Sequence, residues 1–543
     1  MKLVTLTLLL AVTTHLTVSA QSRDTTQRID ELFSHWNNAT PGASVAISRN
    51  GKIFYKKAFG LADLEHLAPN TTETIFECGS VSKQFTAMSI LLLAKDGRLN
   101  LQDDVRKHVP ELPSYGKPIS IQHLLNHTSG LKDWGTIGAL AGWPRTTKVY
   151  TQDLALQIIC KQQSLNFTPG SEYSYSNTNY SLLVTIVERV SGMSLEEFTR
   201  IIFFEPLSMK STRWRSNFRQ IIPGRAIAYA ATRDGYEQQM PFENIYGHGG
   251  LLTTTSDLLK WNTMLENHTI GGDDVFKQRI KKGRLNNGKE INYASGLFIG
   301  KITGQDEIQH SGATAGYRGW LAYYPQTKLS VALLSNDGSF QPAAVGAQIA
   351  EIFLGKSVPH PEPAMVIVQP EDLKRFQGTY RSIRHFDAIT LEYKDGRIHA
   401  SNHNTEKEKD VKPLHRDTLY LNGQRWIYLS PSRIMAMDVT DTLRYVRVAP
   451  PKTDPTELKT FEGTYWSDEA EVAIDIKLSG SQLWGQRKPS QPFPLHASFR
   501  DGFFSDNSQL FEFIHSKQGT VTGLLVSQSR AERVRFVKTP KDK

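Results

Sequence analysis

Apolar positions recur along this chain with two different periods, and the switches between them predict its elements. Over 24–38, Ile29, Leu32, Phe33 and Trp36 share one face of a 3.6-residue repeat, which predicts an amphipathic helix. The stretch GASVAISRNGKIFYKKAFG (42–60) then alternates apolar and polar residues on either side of Asn50 and Gly51, the pattern of a tight hairpin. A helix opens near Ser80; its later turns, Phe85 to Ala94, are apolar all round, so it must run through a core before stopping at Asp96 and Gly97. Residues 98–280 read mainly as helix and loop. Strands return over 294–336 as GLFIGKI, EIQHSG, YRGWLAYYP and KLSVALLSN, and the helix AAVGAQIAEIFL closes the region. This order predicts an α+β domain: one antiparallel sheet with a helical subdomain inserted.

Beyond Gly355 helical periodicity nearly vanishes. KSVPHPEPAMVIVQP is punctuated by proline, and an internal repeat follows it. PEDLKRFQGTYRS begins at Pro370 and PTELKTFEGTYWS at Pro455; Ile389 and Ile474, and Arg416 and Arg500, keep nearly the same offset. Each copy opens on a short helical turn and continues as short alternating strands, which predicts two small antiparallel β-barrels or sandwiches. The expected organisation is therefore 1–20 leader, 21–355 α+β domain, 356–369 linker, 370–452 first β unit and 453–543 second β unit. Neither β unit carries a cluster of His, Cys or carboxylates, so both read as accessory to any chemistry.

Composition narrows the class. With 39% hydrophobic and 22% charged residues over 543 positions, the chain is an ordinary multidomain globular protein. The net charge of +9 comes from scattered Lys and Arg, with no basic stripe or arm for nucleic acid; it supports only a weak preference for anionic surfaces such as a cell wall. Lys2, the apolar run Leu3–Val12 and the small residues Val18, Ser19 and Ala20 read as a secretory signal peptide cut after Ala20. That predicts a secreted or periplasmic protein with no transmembrane span. Cys78 and Cys160 form neither a disulfide framework nor a metal motif, so no metal or other cofactor is expected. Cys78 reads as a small buried filler. The oligomeric state is not legible.

The chemistry centres on FECGSVSKQFTAMSILLL (76–93). Ser80 and Lys83 share a helix face, so the amine reaches the hydroxyl. Next to an apolar core an ammonium is disfavoured, which makes a neutral lysine base more available, and the helix N-terminus offers N–H groups to an oxyanion. The competing reading is that Ser80 caps the helix and Lys83 points to water. FTPGSEYSYSNTNYSLL (167–183) places Tyr175 and Asn177 in a polar loop before an apolar helix. A tyrosine beside a cationic lysine is expected to ionise more readily and shuttle protons; an asparagine orients the lysine and a substrate amide. EIQHSGATAGYRGW (307–320) places His310, Ser311 and Gly312 at a strand end, where glycine is expected to admit a substrate backbone. His248, Gly249 and Gly250 offer the same letters without a preceding strand, so His310 is preferred. His123 and His127 read as structural.

The sets Ser80 to Lys83, Tyr175 to Asn177 and His310 to Gly312, in that order, resemble the three motifs of the serine β-lactamase and penicillin-binding-protein superfamily. The likeness covers about 25–355 and is strongest to its class C-like branch, which includes D-aminopeptidases, D-Ala-D-Ala carboxypeptidases and esterases. ISIQHLLNHTSGL (119–131) and GGLLTTTSDLLKW (249–261) are similar to that branch's usual phrases. The resemblance implies that Ser80 is acylated, that Lys83 and Tyr175 share the base and acid roles, and that Asn177 binds the acyl side chain. It also implies that His310, Ser311 and Gly312 line the cleft and that the N–H groups of Ser80 and Ala313 form the oxyanion hole. Where many relatives have a lysine, this chain has His310, whose charge is weaker and pH-dependent. That argues against an efficient β-lactamase and leaves any carboxylate grip to another residue such as Arg318. The expected substrate is a small peptide containing D-amino acids, handled as by a D-aminopeptidase or D,D-carboxypeptidase. A small-ester esterase is the alternative, and a non-catalytic wall- or partner-binding protein a third.

Overall fold

The computed structural model describes residues 25–540 apart from 357–362, 384–386, 403–404, 438–441 and 489. The expected leader and part of the expected linker therefore lie outside the described residues. Helix α1 spans 25–32, shorter than its periodicity predicts. The chain leaves it in turns, and Trp36 is held by donating from Nε1 to Asp337 Oδ2 at 3.0 Å rather than by helical stacking.

The hairpin β1 (Ala43–Arg49) and β2 (Lys52–Phe59) turns at Asn50 and Gly51, both with positive φ, as the sequence predicts. Helix α2 (Lys83–Lys95) follows, then α3 (Trp134–Leu140) and α4 (Asn177–Ser191) in the inserted helical region. The sheet resumes with β3 (Phe298–Ile302), β4 (Gln305–Thr314), β5 (Tyr317–Tyr324) and β6 (Leu329–Ser335), and α5 (Pro342–Leu354) packs back onto it. All pairings are antiparallel, in the order β3-β4-β5-β6-β1-β2.

Why the central strand reads as an unbroken apolar run is clear from its two faces. In β6, Val331 and Leu333 pack with Ile29 of α1, Phe33 just past its end and Ile349 of α5. Ala332 and Leu334 face the opposite way, toward a core shared with Phe85, Ile90 and Leu93 of α2. The two-residue side-chain period thus feeds two helical layers, and each buried Phe, Leu or Ile contributes about 1.5–3 kcal/mol. Helix α2, buried along nearly its whole length, is the axis of the second core. Among the described residues no helix is long and apolar enough to cross a membrane.

The two repeat copies fold differently. The first is a nine-stranded sheet from β7 (Gly378–Ser382) to β15 (Thr442–Val448), with β7 paired to β15 and its edges at β10 (Thr405–Asp410) and β11 (Lys412–His415). The second is a closed eight-stranded barrel from β16 (Gly463–Ser467) to β22 (Val521–Gln528) and β23 (Ala531–Lys538), with β23 pairing back to β16.

Candidate active site

Ser80 sits on a tight 3₁₀ turn, Gly79–Ser82, and the α-helix proper begins only at Lys83. The sequence predicts a helix from Ser80; the turn is tighter because Ser82 Oγ donates to the Gly79 carbonyl at 2.6 Å. Strand pairing of Phe76 with Thr253 and of Glu77 with Leu252 fixes the approach to this turn, and Ser82 Oγ also accepts from Leu251 N at 3.2 Å.

Lys83 is fully buried, and its Nζ lies 3.2 Å from Ser80 Oγ, 3.0 Å from Asn177 Oδ1 and 2.6 Å from the His248 carbonyl. The reading in which this lysine points to water is therefore excluded. Burial pushes its pKa well below the ordinary lysine value, and the positive charge of Arg530 pushes the same way. That setting favours the neutral amine, the form with a lone pair to offer Ser80.

Asn177 opens α4, and its backbone N–H donates to Asp133 Oδ2 at 2.7 Å, so its side chain is aimed at Lys83 from a fixed helix end. Tyr175 precedes it, with its ring 4.7 Å from Lys83 Nζ and its buried hydroxyl lacking any hydrogen bond of ordinary geometry. The sequence predicts a readily ionised tyrosine; the structure reverses this. Burial drives the phenol pKa upward, and the nearby Ser80 hydroxyl and Arg530 only partly oppose it, so Tyr175 holds its proton.

His310, Ser311, Gly312 and Ala313 lie on the part of β4 that runs past the end of β3, whose Phe298 pairs with Gln309. His310 is buried; its Nδ1 lies 2.5 Å from the Ser311 carbonyl, which can only accept, so Nδ1 carries the proton and Nε2 accepts from Tyr293 Oη at 3.0 Å. Burial and Lys83 lower its pKa to about 3. The expected pH-dependent charge is thus absent: His310 is neutral at any ordinary pH. Gly312 also has a different reason from the one expected. A Cβ there would lie 1.9 Å from the Cys78 carbonyl and 3.0 Å from Ser80 N, so the glycine admits the Ser80 turn itself rather than a substrate. The same close approach sets Ala313 N beside Gly79, the residue that precedes Ser80.

All eight residues singled out from the sequence line or adjoin one cleft of about 560 Å³, a volume suited to a small ligand. Other residues complete it. His248, the rival motif, lies there too and serves through its main-chain carbonyl, while Thr86 Oγ1 of α2 donates to the Gly247 carbonyl at 2.8 Å and holds that loop. His127 is more than remote structure: its ring lies 4.3 Å from that of Tyr175, and its Nδ1 accepts from Ser176 N at 3.2 Å. Cys78 is fully buried, its pKa is raised to about 12 by burial, and neither cysteine is paired, so it offers no competing nucleophile.

The residue that sequence reasoning missed entirely is Arg530. It belongs to the second β unit, lines the cleft beside Ser80 and places its guanidinium 4.8 Å from the Tyr175 ring. One of the two β units expected to be accessory thus contributes a side chain to the cleft lining. No charge cluster marks the segment SQSRAER in the sequence, because one arginine at a hairpin tip carries no pattern.

Comparison with known proteins places this arrangement. The family model described as Beta-lactamase matches residues 25–353. Penicillin-binding protein 4* of Bacillus subtilis is 31% identical over 357 residues, which cover 61% of this chain and 75% of that protein. A D-aminopeptidase of Gluconobacter oxydans is 30% identical over 345 residues, and the chain spans 63% of its length. The solved structure of an octameric penicillin-binding protein homologue from Pyrococcus abyssi superposes with a TM-score of 0.55 at 24% identity, covering 79% of this chain and all of the other.

Proposed function

The chain belongs to the Beta-lactamase family and is a serine hydrolase of it; from that premise we propose that it cleaves small peptides or amides containing D-amino acids through an acyl-Ser80 intermediate. The observation that carries this reading is the setting of Lys83, a buried amine 3.2 Å from Ser80 Oγ and fixed by Asn177 and the His248 carbonyl.

In the proposed mechanism the neutral Lys83 amine takes the Ser80 proton as Oγ attacks the substrate carbonyl. The N–H groups of Ser80 and Ala313 receive the negative charge that develops on the carbonyl oxygen. As the C–N bond breaks, the leaving nitrogen takes a proton from Tyr175, which is protonated and beside it in the cleft, and Lys83 returns one to the phenol. Water then attacks the acyl-Ser80 ester and loses a proton to Lys83, which passes it to Ser80 Oγ as the ester C–O bond breaks, releasing the acid and the free serine. Asn177 holds both Lys83 and the acyl-group amide. The D preference rests on the D-aminopeptidase among the relatives above. The leader expected at residues 1–20 supports action outside the cytoplasm.

The test compares D- and L-configured dipeptide amides with purified protein and with Ser80→Ala. Preferential release from the D series, a covalent adduct on intact-mass measurement and a loss of at least about 1000-fold in Ser80→Ala are expected. Equal turnover of both series, or hydrolysis only of simple esters, would sink the D-peptide reading in favour of an esterase.

A further inference from the structure

The cleft is built from two units that lie far apart in sequence. The hairpin between β22 and β23 projects from the barrel with Ser529 and Arg530 at its tip, and the tip is pinned to the catalytic unit through its backbone. The Arg530 carbonyl accepts from Asp133 N at 3.0 Å and from Asn166 Nδ2 at 3.1 Å, and Glu532 N donates to Asn166 Oδ1 at 2.9 Å. Asp133 is the residue that also fixes Asn177, so the tip is registered to the catalytic residues within one hydrogen-bonded chain. The side chain of Arg530 is left to face the cavity, over Tyr175.

The charged side chains that line the cavity share one sign. Arg145, Arg318 and Arg530 all line the cavity, and among the described residues lining it none is a carboxylate. Two of these arginines are committed elsewhere: Arg145 binds the Glu243 carboxylate, and Arg318 Nη1 donates to the Ala315 and Tyr317 carbonyls at 2.7 and 2.8 Å. His310, at the strand position where a cation was sought, is bonded to Tyr293 and Ser311.

We propose that Arg530, delivered by the C-terminal barrel, is the anion-recognition residue of this cleft, and that the preferred substrates are peptides with a free C-terminal carboxylate. A guanidinium forms paired, charge-assisted hydrogen bonds with a carboxylate, and a pocket lined by cations repels a free ammonium. The inference rests on the acyl-Ser80 reading and narrows it from D-peptides in general to those of carboxypeptidase type. It also explains why a β unit without catalytic groups is fastened so close to the nucleophile.

The experiment uses the full chain and one N-acetylated D-alanyl-D-alanine peptide in two forms, free acid and C-terminal amide. The wild-type protein should prefer the acid by about 10-fold or more in kcat/KM, in line with one charge-assisted contact. Arg530→Gln should bring the acid-to-amide ratio close to one, chiefly through KM, and Arg530→Lys should restore part of it. The ratio is the reading because any change that Arg530 imposes on Lys83 affects both peptides alike. A wild-type protein that prefers the amide, or a ratio that survives in Arg530→Gln, overturns the assignment. Circular dichroism of both variants guards against misfolding, which the main-chain nature of the tip contacts makes unexpected. Ser80→Ala separates the two levels: turnover surviving in that variant overturns the serine reading itself, whereas its loss beside an unchanged Arg530→Gln ratio overturns only the role of the arginine.

Discussion

The two C-terminal β units begin with nearly the same phrase and end in different relations to the rest of the molecule. Phe376 and Tyr380 of the first correspond to Phe461 and Tyr465 of the second, and all four are fully buried. Both units close their first strand against their last, β7 with β15 and β16 with β23. The first then leaves β10 and β11 as edges, separated only by Val411, whereas the second pairs every strand into a ring. Their cores differ more. That of the first unit, around Leu373, Trp426 and Tyr445, contains no residue of the catalytic unit among the described residues. That of the barrel is continuous with Ile137 and Leu140 of α3. Lys132 and Glu469 form a buried ion pair at 2.8 Å across the same junction. The first unit rests in turn on the barrel, through Ala388 against Phe499 and Phe504 and through Arg381 with Glu512. Equal repeats therefore need not have equal duties: what couples a module to a site is the continuity of its core, not the motif that opens it.

That contrast can be broken by paired substitutions. Phe461→Ala and Phe376→Ala should each cost about 3–5 kcal/mol within their own unit, but only Phe461→Ala should also depress turnover, because its core carries α3 and the hairpin tip. Equal losses of activity in both variants would erase the distinction. Calorimetry with a parallel ester assay reads both quantities.

Smaller in effect, Glu469→Ala strands a buried lysine and should cost about 3 kcal/mol, softened by the bonds that Lys132 Nζ keeps to Ser164. The matched change in the first unit, Arg375→Ala, breaks pairs to Asp372 and Asp417 whose side chains are about a third exposed, and should cost less than about 1 kcal/mol. A larger loss for the surface pair would contradict this order of coupling.

Asn166→Ala removes both side-chain contacts to the hairpin tip, worth about 1–2 kcal/mol locally. Hydrogen exchange should quicken at Glu532 and Asp133 while strands of the first unit keep their protection. Unchanged exchange at both amides would mean that the tip is held by something else.

The subtlest difference lies in pH dependence. A base whose folded pKa lies below its usual value is active on the alkaline side and loses its acceptor form as pH falls and Lys83 takes a proton. Arg530→Gln removes a cation that opposes this protonation, so the acid limb of kcat/KM should move to higher pH. Arg447→Gln, which removes a cation over Tyr380 in the first unit, should leave it in place. His310, neutral down to about pH 3, should add no step between pH 5 and 8.

By itself the sequence determined the short-range geometry. Ser80 and Lys83 meet because positions three apart share a face, and α2 runs through the core because its residues are apolar all round. The strands of the sheet, the Asn50 turn and the repeat were legible for the same reason: periodicity and turn chemistry act over a few residues. Where the local reading fell short, as at the end of α1 or the 3₁₀ turn at Ser80, a single hydrogen bond overrode propensity. The tertiary structure alone decided the rest. Whether Tyr175 keeps its proton depends on how deeply it is buried, not on its neighbour in the motif. The same holds for His310, whose charge is removed by desolvation. Arg530 reaches Tyr175 across some 350 positions of chain, and a contact of that range imposes no period on the residues between. Only the closing of a barrel against α3 could bring it there.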